Sequence, residues 1–374
     1  MSDDDDDDDD DADTTTSKRR TWKLLEARHK LGGRLENDSN TNSIDLGGAW
    51  IWPPQQVYMV NLIQSLDEIV TFDQPDDPSS KRIVGGAAKI VEKIAQHLPR
   101  ESIELNSPVV ACKLHIISDQ GGESVNDGGK VSDLAPERRI VQLELASGEQ
   151  IFTRHVVFAV PPKLLSMHVT FHPPLSNEKT KAMSQSATWM AGVTKVALVY
   201  NSPRFWQLEE SNRGLRSGRN APAFQVYDSS PHGTSTLSAL TFFTHVRLDA
   251  GTNSSDDDET LARQCADQMC DSFSSEAWTG RVDPMLVQNI RSFDSFHIKR
   301  WPYEKYISEE RNPEGINPHP KPNRALARSE WDGSLLFAGT ETDLYSPGVM
   351  EGAVSSGLRV VKSLKGMWAT CTDG

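Results

Sequence analysis

The chain has 374 residues, of which 37% are hydrophobic, so its length and composition can support two domains with buried cores. Its formal net charge of −14 comes mostly from ten aspartates between residues 3 and 13, without which the charge would be −4. Residues 1–20 are therefore expected to form a disordered acidic tail. With no dense basic patch to offset this tail, the sequence argues against nucleic-acid binding.

No apolar run reaches the length of about eighteen residues that a transmembrane helix needs, and no membrane span is expected. The N-terminus has no basic segment followed by an apolar core, which argues against secretion. The four cysteines form neither a C-x-x-C pair nor a Cys/His cluster with zinc spacing. We therefore expect an intracellular, cytoplasmic location and no bound metal.

Trp22 to Arg28 predicts a short strand that carries an acid near its end, Glu26, and a glycine turn with Arg34 follows it. In a dinucleotide-binding unit, the acid at the end of the second strand accepts hydrogen bonds from ribose hydroxyls. The planar guanidinium of Arg34 can bind two phosphate oxygens. Taken alone, these features are more typical of an ordinary surface glutamate and arginine.

The stretch from Ile44 to Trp50 contains a glycine pair followed by a tryptophan. Gly47 and Gly48 let the backbone approach a planar ring, and Trp50 supplies an apolar wall. The pattern therefore indicates a place where a flat ligand can lie against the chain.

Further along the chain, alternating or continuously apolar runs predict strands over Ser107–Ile117, Ile140–Leu145, Gln150–Thr153, His155–Pro162, Gly192–Tyr200 and Thr236–Phe243. Amphipathic spacing predicts helices over Val57–Leu66 and Asp256–Phe273, and another helix follows Arg82–Ala88 and ends at about His97. Val287–Phe296 alternates between apolar and polar residues. The order of these elements predicts a mixed α/β chain.

Lys195 stands out within the predicted strand Gly192–Tyr200. Alternation places its side chain on the same strand face as Val193, Ala197 and Val199. Burying an unpaired ammonium is costly, so a lysine there needs a partner or a chemical purpose. The alternative is a lysine on an edge strand whose ammonium reaches solvent.

Near the C-terminus, Leu335 to Ala338 predicts a buried strand, and Pro347 is suited to open a helix. Ala353, Gly357, Val360, Val361 and Leu364 recur at the spacing of one helix face. A strand, an acidic loop and a helix N-terminus together make a site for an electron-rich group.

Taken together, these stretches resemble the flavin-containing amine oxidases, the monoamine oxidase-like family. The resemblance rests on LLEARHKLGGR, DLGGAW, the strand that carries Lys195, RWPYEKY, and FAGTET followed by SPGVMEGAVSSGLR. It implies an α/β fold with a Rossmann-like FAD-binding domain, here incomplete, and a second α+β substrate domain. The implied reaction is oxidation of a C–N bond of a small-molecule amine to an imine, with oxygen as the acceptor.

The resemblance also assigns roles to individual residues. Lys195 would be catalytic, because the family's matching lysine holds a water beside the flavin that is implicated in its reoxidation. No cysteine lies between Trp301 and the final strand, so FAD is expected to bind non-covalently. The implied FAD-contacting residues are Glu26, Ala27, Arg34, Gly47, Gly48, Ala49, Trp50, Val109, Trp301, Glu341, Val349 and Met350.

By the same resemblance, a discontinuous FAD-binding domain is expected from residues 21–104, 154–165 and 331–366. A β-meander and the substrate domain are expected from residues 105–153 and 166–330.

The chain departs from the family pattern in three ways. No G-x-G-x-x-G occurs in it, and polyaspartate stands where that motif is expected. Compared with the family, a helical part of the substrate domain is expected to be missing before Gly85. Val349 occupies a position that is often aromatic in the family. The missing glycine motif implies either that part of the natural N-terminus is absent or that the affinity for the cofactor is impaired. A non-catalytic remnant, or another flavin oxidase or desaturase of this fold, are the alternatives.

Overall fold

A computed structural model describes residues 21–41, 43–74, 77–117, 138–206, 215, 221–233, 236–245, 255–273, 283–308 and 318–370. The predicted acidic tail, residues 1–20, lies outside the described residues. Within them, no helix is long and apolar enough to cross a membrane.

The described residues form a mixed α/β fold, as the sequence predicts. The strands are β1 Leu24–Leu25, β2 Thr71–Gln74, β3 Asp77–Ile83, β4 Ile103–Glu104, β5 Val109–Ile117, β6 Arg138–Leu145, β7 Gln150–Thr153, β8 Val156–Phe158, β9 Thr170–His172, β10 Val193–Tyr200, β11 Ala223–Asp228, β12 Ser238–His245, β13 Ser295–Arg300 and β14 Leu335–Phe337. The helices are α1 Val57–Ser65, α2 Ala88–Gln96, α3 Pro162–His168, α4 Asn177–Ser184, α5 Ser255–Phe273, α6 Pro284–Arg291, α7 Arg324–Ala327 and α8 Met350–Thr370.

An antiparallel sheet in the order β11-β12-β10-β13 forms one wall of the molecule. Every residue of β10 is buried. Val196 and Leu198 pack into the cluster built with α5, whereas Val193, Ala197 and Val199 face the opposite way. The predicted alternation of this strand is therefore confirmed, and Lys195 lies on the side away from α5.

A second sheet, in the order β7-β6-β5-β9, covers a core that also contains residues from two parallel strands, β8 and β14. Val156 of β8 lies opposite Leu335 of β14 in the parallel pair. This pairing joins two segments 179 residues apart that the sequence assigns to one discontinuous domain, although the domain boundaries themselves remain a prediction.

The segment Val287–Phe296 does not form a strand over its alternating length. Asp283 accepts hydrogen bonds from the backbone N–H groups of Met285 and Leu286, and Pro284 occupies the first turn, so this part is helical as α6. The strand begins only at Ser295. A capping acid followed by proline therefore outweighs the period-two pattern.

Helix α8 begins at Met350, three residues after the predicted opening at Pro347. Its predicted apolar face is also divided. Val360 and Leu364 pack against β14, whereas Val361 is 47% exposed. The sequence pattern alone does not separate the side of the helix that touches the sheet from the side that is left open.

Candidate active site

One cavity of about 2760 Å³ collects the residues that the sequence singles out. It is larger than the 300–1,000 Å³ of a typical small-ligand pocket, so it can hold an extended ligand together with a second small molecule. Its lining includes every predicted site residue: Glu26, Ala27, Arg34, Gly47, Gly48, Ala49, Trp50, Val109, Lys195, Trp301, Glu341, Val349 and Met350.

Arg34 and Glu341 form a two-pronged ion pair across the cavity wall. The Arg34 Nη2 atom donates to Glu341 Oε2 at 3.0 Å, and its Nη1 atom lies 2.8 Å from Oε1. The second contact is electrostatic, because Oε1 has no partner with hydrogen-bond geometry. Glu341 is 1% exposed and the Arg34 side chain is 25% exposed, so the arginine is the more accessible partner of the pair.

Glu26 and Val109 lie together at another end of the cavity, beside β1 and β5. The backbone N–H of Glu26 donates to Glu104 O at 2.8 Å, and its Oε1 atom accepts from the backbone N–H of Arg28. Val109 packs on the core below β5 and presents its backbone at the start of that strand.

The Gly47–Gly48 turn is held against the glycine turn that precedes Arg34. Gly48 donates its N–H to Arg34 O at 3.1 Å, and a Cβ placed on Gly47 would lie 2.0 Å from the same oxygen. Only glycine fits at position 47, because a backbone atom cannot yield to a side chain. Trp301 closes this side, since its indole N–H donates to Leu46 O at 2.8 Å.

Lys195 reaches from β10 to the backbone of this turn. Its Nζ atom donates to Gly47 O at 2.5 Å, with longer contacts to Asp45 O at 3.3 Å and Tyr227 Oη at 3.4 Å. Burial lowers the pKa of Lys195 to about 7, and the nearby Arg82 charge adds to that effect while Asp45 opposes it. The side chain therefore exchanges a proton near neutral pH.

An aromatic wall surrounds the Lys195 ammonium. Its Nζ atom lies 4.8 Å from the ring centre of Phe243 and 5.4 Å from that of Tyr227. Trp50 packs edge-on to Tyr227 at 4.5 Å between centroids. All three rings line the cavity, so this region offers an apolar wall to a ligand.

Asp45 and Arg82 form a buried ion pair close to Lys195, which the sequence analysis did not predict. Arg82 Nη2 lies 3.5 Å from Asp45 Oδ2, and both side chains are at most 2% exposed. Asp45 Oδ1 also accepts the N–H of Ala87 at the start of α2. No local sequence pattern around either residue indicates that the two charges pair.

The start of α8 is fixed by contacts from two directions. Thr340 Oγ1 donates to Val349 O at 2.7 Å. The Glu351 carboxylate accepts from the first N–H groups of α1, those of Tyr58 and Met59, at 3.0 and 2.7 Å. The free N–H groups of α8 therefore begin at a defined point beside Val349 and Met350 in the cavity.

A matched pair of glycines in α8 tests how closely this start is packed. Gly352→Ala should lower the free energy of unfolding by about 1–3 kcal/mol, because the new Cβ would lie 2.1 Å from Ser346 O. Gly357→Ala should raise it by about 0.5–1 kcal/mol, because a Cβ there has no neighbour within 4 Å and the helix gains rigidity. Chemical denaturation of both variants measures the difference, and equal effects would contradict the packing described.

Several known proteins are similar to this chain in sequence. The sequence model of the family described as flavin containing amine oxidoreductase matches residues 70–364. Amine oxidase (flavin-containing) B of Sus scrofa is 26% identical over 295 residues, covering 76% of this chain and 47% of that protein. Putrescine oxidase of Kocuria rosea is 26% identical over 169 residues, covering 45% of this chain and 32% of that enzyme. The chain thus spans about half the length of the curated relatives it matches, or less.

Solved structures show the same fold. A structure of putrescine oxidase bound to putrescine aligns over 92% of this chain and 93% of that one, with a TM-score of 0.60 at 14% identity. An engineered variant of putrescine oxidase aligns over the same shares with a TM-score of 0.62 at 15% identity. At this level of identity the likeness describes the path of the chain and not its chemistry.

Proposed function

The chain belongs to the flavin-containing amine oxidoreductase family, and on that premise we propose that it binds FAD non-covalently and oxidises the C–N bond of a small amine, with oxygen as the electron acceptor. The observation that carries the proposal is that one cavity contains all thirteen residues that the resemblance assigns to the site. Those residues come from segments as far apart as Glu26 and Met350, which a chance arrangement would not bring together.

The residues present fit an isoalloxazine ring. Gly47 has no room for a side chain, and Gly48, Ala49 and Trp301 continue the same apolar wall. The start of α8 would place N–H groups beside the electron-rich end of the ring, where they favour the negative charge of a reduced flavin. Glu26 would hold the ribose hydroxyls, the backbone at Val109 the adenine, and Arg34 a phosphate oxygen.

Bound flavin would supply the acceptance of two electrons from the substrate and their transfer to oxygen. The contribution of this chain is positioning and proton control. The rings of Trp50, Tyr227 and Phe243 would hold the apolar body of the amine and exclude water. Lys195, with its pKa lowered to about 7 by burial, would hold or release a proton at Nζ beside that wall.

A second candidate function is a chain that keeps the family fold without holding FAD. It is favoured by one specific observation, the absence of G-x-G-x-x-G from the sequence, because that loop normally supplies the backbone N–H groups for the pyrophosphate. Another flavin oxidase or desaturase would share the cavity and differ in its product.

Reconstitution with FAD tests the proposal. The purified chain should keep flavin absorbance through gel filtration and release peroxide when supplied with a panel of primary amines, diamines and amino acids. Lys195→Met should keep the absorbance and lower the rate of peroxide release by about tenfold or more. A colourless eluate, with no rise in melting temperature on adding FAD, would favour the second candidate. A desaturated product would instead identify the desaturase.

A further inference from the structure

Three charged side chains lie buried together behind the wall of the cavity. Lys195 comes from β10, Arg82 from β3 and Asp45 from the segment just before the Gly47–Gly48 turn, and each is at most 4% exposed. Among the residues that the structure describes, Lys195 lines the cavity, whereas Asp45 and Arg82 do not. Any part that Asp45 and Arg82 play in the chemistry of the cavity is therefore exerted through Lys195.

Asp45 contacts the two cations through separate groups. Its backbone oxygen accepts from Lys195 Nζ at 3.3 Å. In its carboxylate, Oδ1 accepts from the N–H of Ala87 at 2.7 Å, while Oδ2 lies 3.5 Å from Arg82 Nη2 and has no partner with hydrogen-bond geometry. Because neither a hydrogen bond nor solvent screens Oδ2, the charge of this carboxylate acts on both cations.

Arg82 is held in place from its other side. Its guanidinium donates to Asp228 O at 3.1 Å and to Ser229 O at 3.2 Å. The same group lies 5.4 Å from the ring centre of Phe72 and 5.7 Å from that of Tyr227. These contacts fix the guanidinium beside the carboxylate, so its positive charge stays at a set position relative to Lys195.

The hydrogen bonds around Lys195 Nζ can be made in both protonation states. An ammonium has three N–H groups, and Gly47 O, Asp45 O and Tyr227 Oη lie within reach of them. A neutral amine has two N–H groups and a lone pair. The Tyr227 hydroxyl, which donates to Asp45 O at 3.2 Å, lies 3.4 Å from Nζ and can donate to that lone pair instead. Lys195 can therefore lose its proton without leaving a buried polar group unpaired.

Two ionisable groups on the neighbouring strand β13 have partners of their own. Lys299 is the cross-strand partner of Lys195, and His297 lies two residues before it. Lys299 Nζ lies 2.9 Å from Glu36 Oε1, and His297 Nε2 lies 3.7 Å from Asp38 Oδ2. These two groups therefore have carboxylate partners other than Asp45.

The remaining influences on Lys195 are opposed in sign. Burial lowers its pKa, the Asp45 carboxylate raises it and the Arg82 charge lowers it. Tyr227 adds no charge, because burial raises the pKa of its hydroxyl and keeps it neutral. In the part of the chain that the structure describes, Asp45 and Arg82 are thus the charges that act on this amine.

We propose that Asp45 and Arg82 are positioning residues, which hold the Lys195 amine beside Gly47 and determine, through their opposed charges, whether it carries a proton at neutral pH. Their part in amine oxidation rests on the proposed function, because it requires that Lys195 take part in that reaction. Their control of Lys195 itself stands without any cofactor.

Titration of Lys195 by NMR tests the proposal in the full chain without FAD. Lysine labelled with ¹³C at Cε gives a signal for each lysine, and the signal that disappears in Lys195→Met belongs to Lys195. In the unchanged chain its midpoint should lie at about pH 7. Asp45→Asn should lower the midpoint by about one pH unit, because the ammonium loses its counter-charge. Arg82→Met should raise it by about one pH unit, because Lys195 is then the cation that remains beside Asp45.

Three further variants separate charge from structure. Arg82→Lys keeps a cation at this position, so its midpoint should stay near that of the unchanged chain. Lys81→Met removes the preceding cation, which pairs with Asp73 at 2.5 Å on the surface, and should leave the midpoint unchanged. Asp45→Asn combined with Arg82→Met should titrate above Asp45→Asn alone, and this comparison replaces Arg82→Met if that variant fails to fold.

The FAD-reconstituted chain supplies a second measurement. The pH dependence of peroxide release should contain an inflection that Lys195→Met abolishes. Asp45→Asn should move this inflection to lower pH and Arg82→Met to higher pH, as in the NMR titration. A purely structural loss would lower the rate at every pH and would leave the inflection in place.

The outcomes keep this inference apart from the proposed function. Shifts of the same sign in Asp45→Asn and Arg82→Met, no shift in either, or an equal shift in Lys81→Met would overturn the control of Lys195. Opposite NMR shifts with matching shifts in the peroxide profile would support the whole proposal. Opposite NMR shifts in a chain that releases no peroxide would uphold the control of Lys195 and count against the proposed function.

Discussion

Replacing Arg82 by methionine should lower the free energy of unfolding by about 3–5 kcal/mol, because it leaves the carboxylate of Asp45 buried without its counter-ion. Both side chains are at most 2% exposed, so solvent cannot compensate. Arg82 also donates to the backbone oxygens of Asp228 and Ser229 at 3.1 and 3.2 Å, and these acceptors would lose their donors. Urea denaturation at pH 8 measures the loss.

Two controls isolate the buried pair. Lys81→Met removes the neighbouring cation, which pairs with Asp73 at 2.5 Å on the surface, and should cost less than about 1 kcal/mol. Asp45→Asn combined with Arg82→Met should recover part of the loss, since both charges of this pair are then removed. Burial already raises the pKa of Asp45. The Arg82→Met deficit should therefore shrink at lower pH, where Asp45 is protonated. A deficit of the same size in the single and double variants would contradict this account.

The stability of the fold should rise with pH between about pH 7 and pH 8.5, with two buried lysines responsible. Burial lowers the pKa of Lys195 and of Lys179 from 10.5 to about 7. In this window the unfolded chain holds both protons while the folded chain releases them, so unfolding takes up protons and becomes less favourable as pH rises. Each lysine contributes up to about 1.4 kcal/mol per pH unit. Denaturation curves across the window measure the slope.

The variants Lys195→Met and Lys179→Met should each lower the dependence of the unfolding free energy on pH by the contribution of one titrating lysine. Lys179 Nζ donates to Leu326 O and Arg328 O at 2.9 and 2.6 Å, so its variant also shows a constant loss at every pH. Lys181→Met is the matched control, because Lys181 is exposed on the same helix and should leave the slope unchanged. A wild-type slope of zero, or a slope that Lys195→Met and Lys179→Met leave unchanged, would contradict the lowered pKa of these two lysines.

The large elements of this fold follow from local patterns in the sequence. The alternation around Lys195 correctly predicts a strand and the face on which the lysine lies, because packing on both sides of β10 demands it. The strand at Leu335 and the helix after it are also confirmed, since an apolar run and a helical period are local properties. Where a local signal misled, at Val287–Phe296, another local signal, a capping acid followed by proline, decided the structure.

The charges of the candidate site depend instead on distant partners. Arg34 was expected to face a phosphate, yet its nearest anion is Glu341, 307 residues away. Asp45 and Arg82 lie in two separate segments of the chain, and only folding brings the two charges together. A side chain's charge partner depends on the path of the backbone, which no short window of sequence contains.

By itself, the sequence determined the family, the mixed α/β class and the thirteen residues expected at the site, because motifs and periodicities are written in neighbouring residues. The tertiary structure alone decided three further features: the gathering of those residues around one cavity, the burial that brings the pKa of Lys195 to about 7, and the parallel pairing of β8 with β14. The physical reason is that burial and strand pairing are properties of surfaces that meet only after folding.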